Sequence, residues 1–333
     1  MPQRLIQLSI RETDPAELAA YCEPALIVAA HRNAFDEQRI QVSMVVDTEF
    51  SEAVMDRLQQ MFGSSSDFQL VLLPLEATLP RQSAPPPDVA RSAKKGASRI
   101  SREELYQEIN AGIRIRSTFV VMVVLSSIVA AIGLYRDDTV LLIGAMVIAP
   151  LLAPNIALSL SATLGDADLA ARALRINSLG VAISMLIAIL LGWVLQIEPG
   201  FPAISQRAQV SAADLLVALA SGTAGALAFT TGLPGTLIGV MVAVALMPPL
   251  VAAGMLVGGG YLSAALGPLL LLATNVICLN LAAVSTFVFK GIRPRTWWEA
   301  ERAKRATRRA SLIWGIMFAL LVTIVWWLGG PLL

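Results

Sequence analysis

Residues 144–154 read GAMVIAPLLAP, a run apolar enough for a lipid bilayer that carries Pro150 and Pro154 where a spanning helix would be continuous. Ninety-five positions later, residues 239–249 read GVMVAVALMPP, with Pro248 and Pro249. Aligning residues 141–154 with 236–249 gives seven identities in fourteen positions. Two segments rich in Leu, Val and Gly would share about two by composition alone. The excess points to a duplicated membrane domain with a proline-interrupted helix in each half.

Composition places the rest of the chain around that pair. Of 333 residues, 56% are hydrophobic and only 15% charged, and the mean hydropathy is +0.68. That is too apolar for an ordinary soluble protein, and the apolar residues are clustered. Cys22 and Cys278 are far apart, which excludes a disulfide framework or a thiolate metal cluster. Residues 1–20 lack a basic start followed by an apolar core, so no signal peptide is expected and the N-terminus is placed in the cytoplasm.

Residues 1–78 read as a small soluble domain. Strands are expected over 5–10, 25–30, 40–47 and 68–73, with helices starting at Asp14-Pro15-Ala16-Glu17 and at Ser51, the latter running to Phe62. The order βαββαβ suits a ferredoxin-like sheet. The polar run HRNAFDEQR separates the second and third strands and places His31 at a hairpin tip. Residues 79–100 form a proline-rich basic linker. Ser101 and Glu104 make a capping box, and Leu105, Ile109 and Ile113 follow at helical spacing. Residues 101–116 are therefore expected as an amphipathic helix along the inner membrane face.

Seven segments are long enough to cross a bilayer: 117–135, 139–163, 176–197, 212–231, 235–257, 264–289 and 311–329. Residues 91–116 hold seven Lys/Arg, residues 290–309 hold eight, and Arg172 with Arg175 lie between the second and third segments. With a cytoplasmic N-terminus all of these fall inside, whereas Arg136 and Arg207 fall outside. The C-terminus then faces outward. Trp297, Trp298, Trp326 and Trp327 flank the seventh segment as interfacial anchors would.

An odd number of spans per copy inverts the second copy relative to the first. Residues 117–197 and 212–289 thus form two inverted three-helix repeats, an arrangement common in secondary transporters. The basic segment 290–310 and the seventh helix 311–329 stand outside the repeat. Ser126 pairs with Ser221 at the same offset, and Asn177 pairs with Asn275 when three residues are inserted around 258–260. The expected fold is an α-helical polytopic membrane protein of seven helices behind a small α+β domain.

The two proline motifs, together with TNVICLNLAA carrying Asn275 and Asn280, resemble a hydrophobic-domain membrane family called domain of unknown function 389, over roughly residues 118–290. That family commonly has a serine before the first proline, where this chain has Ala149. The resemblance implies a prokaryotic membrane protein and supplies no activity.

A proline inside a helix removes a donor and frees a carbonyl one turn earlier, and in hydrocarbon that carbonyl must find a partner. Pro150, Pro154, Pro248 and Pro249 are accordingly expected to break the second and fifth spans, leaving helix ends able to hold a cation or a polar solute; a kink satisfied by neighbouring helices is the plainer alternative. Candidate binding residues beside the prolines are Asn155, Ser159, Asn177, Ser126, Ser221, Thr274, Asn275 and Asn280. Asparagine also serves simply as glue between membrane helices. Asn275 and Asn280 project about 140° apart and are not expected to face one cavity.

Between Thr139 and Thr163, and between Leu215 and Val288, there is no Asp, Glu, Lys, Arg or His. This argues against a carboxylate-based proton antiporter and against intramembrane catalysis, so no enzyme, cofactor or metal site is expected. Asp137, Asp138, Asp166 and Asp168 fall at membrane edges, as solvated loop carboxylates or, for the first two, a cation-concentrating outer mouth. The sequence thus points to an alternating-access transporter in the prokaryotic inner membrane, carrying a small neutral solute or an ion through a central site. A scaffold or sensor whose soluble domain acts, and an ion channel, are the alternatives. Expected partners are the lipid bilayer and the solute or ion, with a homo-oligomer left open and nucleic acid not expected.

Overall fold

The computed structural model describes residues 3–11, 27–36, 39–63, 68–75, 100–113, 115–207, 210–231, 235–292, 307–308 and 312–323. The chain divides into two compact units, residues 1–106 and 107–333.

In the first unit, β1 (Gln3–Arg11), β2 (Ile27–Asp36), β3 (Arg39–Asp47) and β4 (Gln69–Leu75) form one sheet in the order β2-β3-β1-β4. All three pairings are antiparallel. Alternation along β1 buries Ile6, Leu8 and Ile10 with Met44 and Val46 against Val54, Met55 and Leu58 of helix α1 (Thr48–Phe62). The helix expected at Asp14 and nearly all of the linker lie outside the described residues.

Three details differ from expectation. His31 is not at a hairpin tip: it lies within β2, paired with Ser43 of β3. β2 is an edge strand, and its polar half looks like a loop from composition alone. Helix α1 starts at Thr48, directly after β3, and the Ser51 hydroxyl donates back to the Thr48 carbonyl at 2.8 Å instead of capping. Pro74 sits inside β4, which extends past the expected end because an outer strand tolerates a residue without an N–H.

Helix α2 (Arg102–Gly112) begins as its capping box requires, with the Glu104 N–H donating to Ser101 Oγ at 3.2 Å. Leu105, Ile109 and Ile113 are buried within the protein. Arg4 forks onto Glu104 at 2.9 and 3.3 Å, and Arg102 reaches Asp56 at 3.1 Å.

The second unit is helical: α3 (Ser117–Arg136), α4 (Thr139–Ile148), α5 (Leu152–Leu164), α6 (Ala167–Leu195), the short α7 (Pro202–Ser205), α8 (Ala212–Thr231), α9 (Gly235–Gly258), α10 (Leu262–Phe289) and α11 (Leu312–Thr323). Among the described residues, α3, α6, α8 and α10 are each long and apolar enough to cross a bilayer. The α4–α5 pair, bent by 53°, makes a fifth when taken as one span. Val121, Leu125, Leu186, Leu190, Leu216 and Leu266 point outward on these helices, a surface that suits lipid and not water.

The acidic residues at the helix ends are caps. Asp138 Oδ1 accepts from the Val140 and Leu141 N–H groups at 2.9 and 3.2 Å, and Asp166 Oδ1 accepts from Leu169 N–H at 2.9 Å. Asp137 ends α3 in the left-handed conformation. With Asp166 as its cap, α6 starts at Ala167, nine residues before the apolar stretch from which the third span was read.

The helices meet in two ways. At the α6–α9 crossing, backbones touch through glycine. A methyl group at Gly192 would lie 2.1 Å from the Met255 carbonyl oxygen, and one at Gly258 would lie 2.0 Å from that of Ile189. Gly222 of α8 is similarly pressed onto the α10 backbone at Leu279. Elsewhere the crossings carry polar side chains. Helix α11 packs on α10, with Leu321 buried beside Ile277.

Candidate functional site

The break between α4 and α5 follows from Pro150. The residue before a proline is driven out of the helical region, and Ala149 is extended at φ −67°, ψ 117°. Leu151 then opens α5, and Pro154 occupies its first turn, where a missing N–H costs nothing. The last bond of α4 runs from Ala149 N–H to the Ala145 carbonyl at 3.1 Å, and Ser126 Oγ of α3 donates to the same carbonyl at 2.8 Å. Ser126 therefore braces the end of α4.

The fifth span is not broken. Helix α9 is continuous through Pro248 and Pro249, both buried. In the alignment of the two motifs, Pro249 falls on Pro154, but Ala245 falls on Pro150. The motif without a proline at the position of Pro150 keeps its helix, with Pro248 and Pro249 inside it.

The break lies level with the N-terminal end of α3 and with the middle of α6. A methyl group at Gly180 of α6 would be 3.0 Å from Leu151 Cδ2 and 3.3 Å from Phe119 Cζ, so these three residues share a level. Phe119 is the third residue of α3. From there α5 runs back alongside the first half of α6, joined to it by a turn at Gly165, whose φ of 73° favours glycine.

Four of the expected site residues come together on this hairpin and on α10. Asn155 Nδ2 donates to the Leu151 carbonyl at 2.8 Å, and its Oδ1 accepts from Asn177 Nδ2 of α6 at 3.2 Å. Ser159 Oγ donates to Asn280 Oδ1 at 2.8 Å; the Asn155 carbonyl at 3.2 Å is its weaker alternative. Asn280 Nδ2 donates to the Val276 carbonyl at 2.9 Å and approaches Asn155 Oδ1 at 3.5 Å. Asn155, Ser159 and Asn280 are at most 1% exposed, and Asn177 is half-buried. At about 0.6 kcal/mol for a side-chain hydrogen bond in a membrane bundle, the α5–α10 bonds together contribute on the order of 1 kcal/mol. They orient the helices without locking them.

The other expected residues stand apart. Thr274 is buried and donates to the Leu270 carbonyl of its own helix at 2.8 Å. Asn275 is buried on α10, about 140° around from Asn280. Ser221 is half-buried on α8, next to the Gly222 contact. A polar contact that sequence reasoning missed joins α3 and α6: Ser127 Oγ and Ser184 Oγ, both fully buried, are 2.9 Å apart, and Met247 Sδ of α9 lies 3.9 Å from Ser184 Oγ. The adjacent serines 126 and 127 were its available signal. At the far end of the bundle Arg207 donates to the Ala203 carbonyl. Burial lowers its affinity for its proton, and the nearby Asp137 charge opposes that.

A model of the family described as Domain of unknown function (DUF389) matches residues 146–281, the stretch holding the break and all four clustered residues. An uncharacterized protein of the archaeon Methanocaldococcus jannaschii is 35% identical over 277 residues, which cover 83% of this chain and 84% of that protein. No solved structure matches.

Proposed function

The chain belongs to the family described as Domain of unknown function (DUF389), and from that premise we propose that it is a membrane transporter built from two inverted halves, residues 117–197 and 212–289, that carries a small neutral solute or an ion. One observation carries this reading. Adding 95 to a residue in the first half and subtracting 95 from one in the second turns real contacts into other real contacts. Ser159–Asn280 becomes Gly254–Met185, and a methyl group at Gly254 would lie 3.1 Å from the Met185 carbonyl oxygen. Ser127–Ser184 becomes Gly222–Leu279, where the corresponding distance is 2.7 Å. Such exchange of partners is what a two-fold axis between halves produces. Gly165 and Gly260, again 95 apart, both turn with positive φ between paired helices.

In this reading the solute is held by amides, hydroxyls and backbone groups of the Asn155–Ser159–Asn177–Asn280 cluster. The lining is uncharged, which suits a neutral polar solute best. Sidedness follows the basic residues. Thr307, inside the basic segment, donates to the Ala162 and Thr163 carbonyls at 3.0 and 3.2 Å, at the end of α5 that adjoins the first turns of α6, where Arg172 and Arg175 lie. Both belong on the cytoplasmic side of a prokaryotic inner membrane. The sheet order of the N-terminal unit supports a ferredoxin-like module that reports a cytoplasmic signal.

The test is uptake by purified full-length protein in proteoliposomes across a panel of neutral polar solutes and monovalent ions. Saturable uptake that Asn280→Ala abolishes is the expected result. Flux without saturation would make the protein a channel. No flux above empty liposomes anywhere in the panel would leave a membrane scaffold.

A further inference from the structure

We infer that α5 is a gate, a short helix hinged at both ends that swings away from α10 while the α6–α9 crossing stays closed. The two ends of α5 are the non-helical residues 149–151 and the left-handed turn at Gly165. Between them lie only thirteen residues. A rigid element bounded by two backbone breaks is the ordinary construction of a hinged segment.

Besides its buried apolar residues Ile156, Ala157 and Leu160, α5 meets α10 through a set of exchangeable hydrogen bonds. Ser159, Asn155 and Asn280 satisfy one another in the closed position, and each bond can be replaced by one to water or to a solute amide or hydroxyl. An apolar seam has no such replacement, and a seam of interlocked backbones has none either.

The equivalent segment of the second half, residues 247–259, has neither property. It continues α9 without a break because Ala245 stands where Pro150 does. Its seam with α6 is built on Gly192, Gly254 and Gly258, whose neighbours leave no room for even a methyl group: 2.1, 2.5 and 2.0 Å to the nearest atom. Of two related segments, one is hinged and clasped by polar groups, and the other is continuous and interlocked. Movement is therefore confined to one of them. Because α5 runs from the break, level with Phe119 and Gly180, to the turn at Gly165, the gate opens on the side of the bundle where α3 and α6 begin. What the gate admits rests on the transport reading above; that it moves does not.

Thiol accessibility tests the motion without any solute. In a background carrying Cys22→Ser and Cys278→Ala, three full-length variants are prepared in lipid nanodiscs: Ser159→Cys, Ala157→Cys and Ala188→Cys. Ala157 is a second reporter on α5 that makes no side-chain hydrogen bond, and Ala188 lies in the glycine seam; all three positions are fully buried. A small methanethiosulfonate reagent is expected to modify both α5 cysteines at least tenfold faster than the one at 188, and Asn280→Ala is expected to speed Ala157→Cys further. Equal protection at all three positions would overturn the gate, as would equal reactivity. Labelling confined to α5 in a protein that transports nothing would keep the gate and remove the transport reading; uptake with α5 fully protected would do the reverse.

Discussion

Ser159 on α5 gives its hydroxyl proton to Asn280 on α10 at 2.8 Å, across 121 residues of sequence. The contact of Gly254 on α9 with Met185 on α6 contains no hydroxyl or amide side chain. The α5–α10 contact is thus polar, and the α6–α9 contact is close-packed.

Asn280→Ala is expected to lower the stability of the detergent-solubilised protein by about 1–2 kcal/mol. It takes from buried Ser159 its shorter acceptor, leaving the Asn155 carbonyl at 3.2 Å, and takes from Asn155 Oδ1 one of its two amide neighbours. Thr274→Val, six residues earlier, removes only a bond to its own helix and is expected to cost less than about 1 kcal/mol. Thermal unfolding of the two variants side by side checks the difference; equal shifts would remove Asn280 from any special role.

Pro150→Ala makes the first motif resemble the second at the position that matters, since Ala245 stands there in a continuous helix. The expected outcome is an α4–α5 segment that straightens and carries Ser159 away from Asn280. The yield of the Ser159→Cys/Asn280→Cys disulfide should drop severalfold when Pro150→Ala is added, while Pro154→Ala, in the first turn of α5, leaves it unchanged.

Gly258→Ala is expected to destabilise the unit by about 1–3 kcal/mol or more, because the new methyl group meets the Ile189 carbonyl oxygen at 2.0 Å and the neighbour is backbone that cannot turn aside. Gly144→Ala is the matched control. It has open space within 4 Å and gains helix propensity, so it should be neutral or slightly stabilising. Melting temperatures of both variants in one detergent decide the matter.

Much of this arrangement was legible from particular residues. The expected start of the first span at 117 is the start of α3, and Pro150 broke its helix where a proline must. Asn155, Ser159, Asn177 and Asn280 were singled out as polar groups in apolar surroundings, and burial did bring them together. The unbroken α9 was legible too, in the mismatch of Pro150 with Ala245, but counting prolines hid it. Depth was not legible: which residues of α3 and α6 lie level with the break, Phe119 and Gly180, is a matter of tertiary packing. Glycine contacts such as Gly192 with Met255 leave no mark in hydropathy at all. His31 was misplaced because an edge strand and a loop have similar composition.

Sidedness gives a prediction that depends on two local contacts and on the basic residues together. Thr307 bonds to the end of α5, so the adjacent Arg308 and the α6 residue Arg172 belong to the same end of the bundle. Gln206, exposed between α6 and α8, follows the C-terminus of α6 and belongs to the opposite end. In the background lacking native cysteines, a membrane-impermeant maleimide added to right-side-out vesicles should label Gln206→Cys and spare Arg172→Cys and Arg308→Cys. Inverted vesicles should give the reverse pattern. Labelling of all three from one side would falsify a membrane-crossing α6. Reversal of both patterns would instead turn the whole bundle over, since the excess of Lys and Arg around Arg172 and Arg308 would then face outward against the usual retention of basic loops in the cytoplasm.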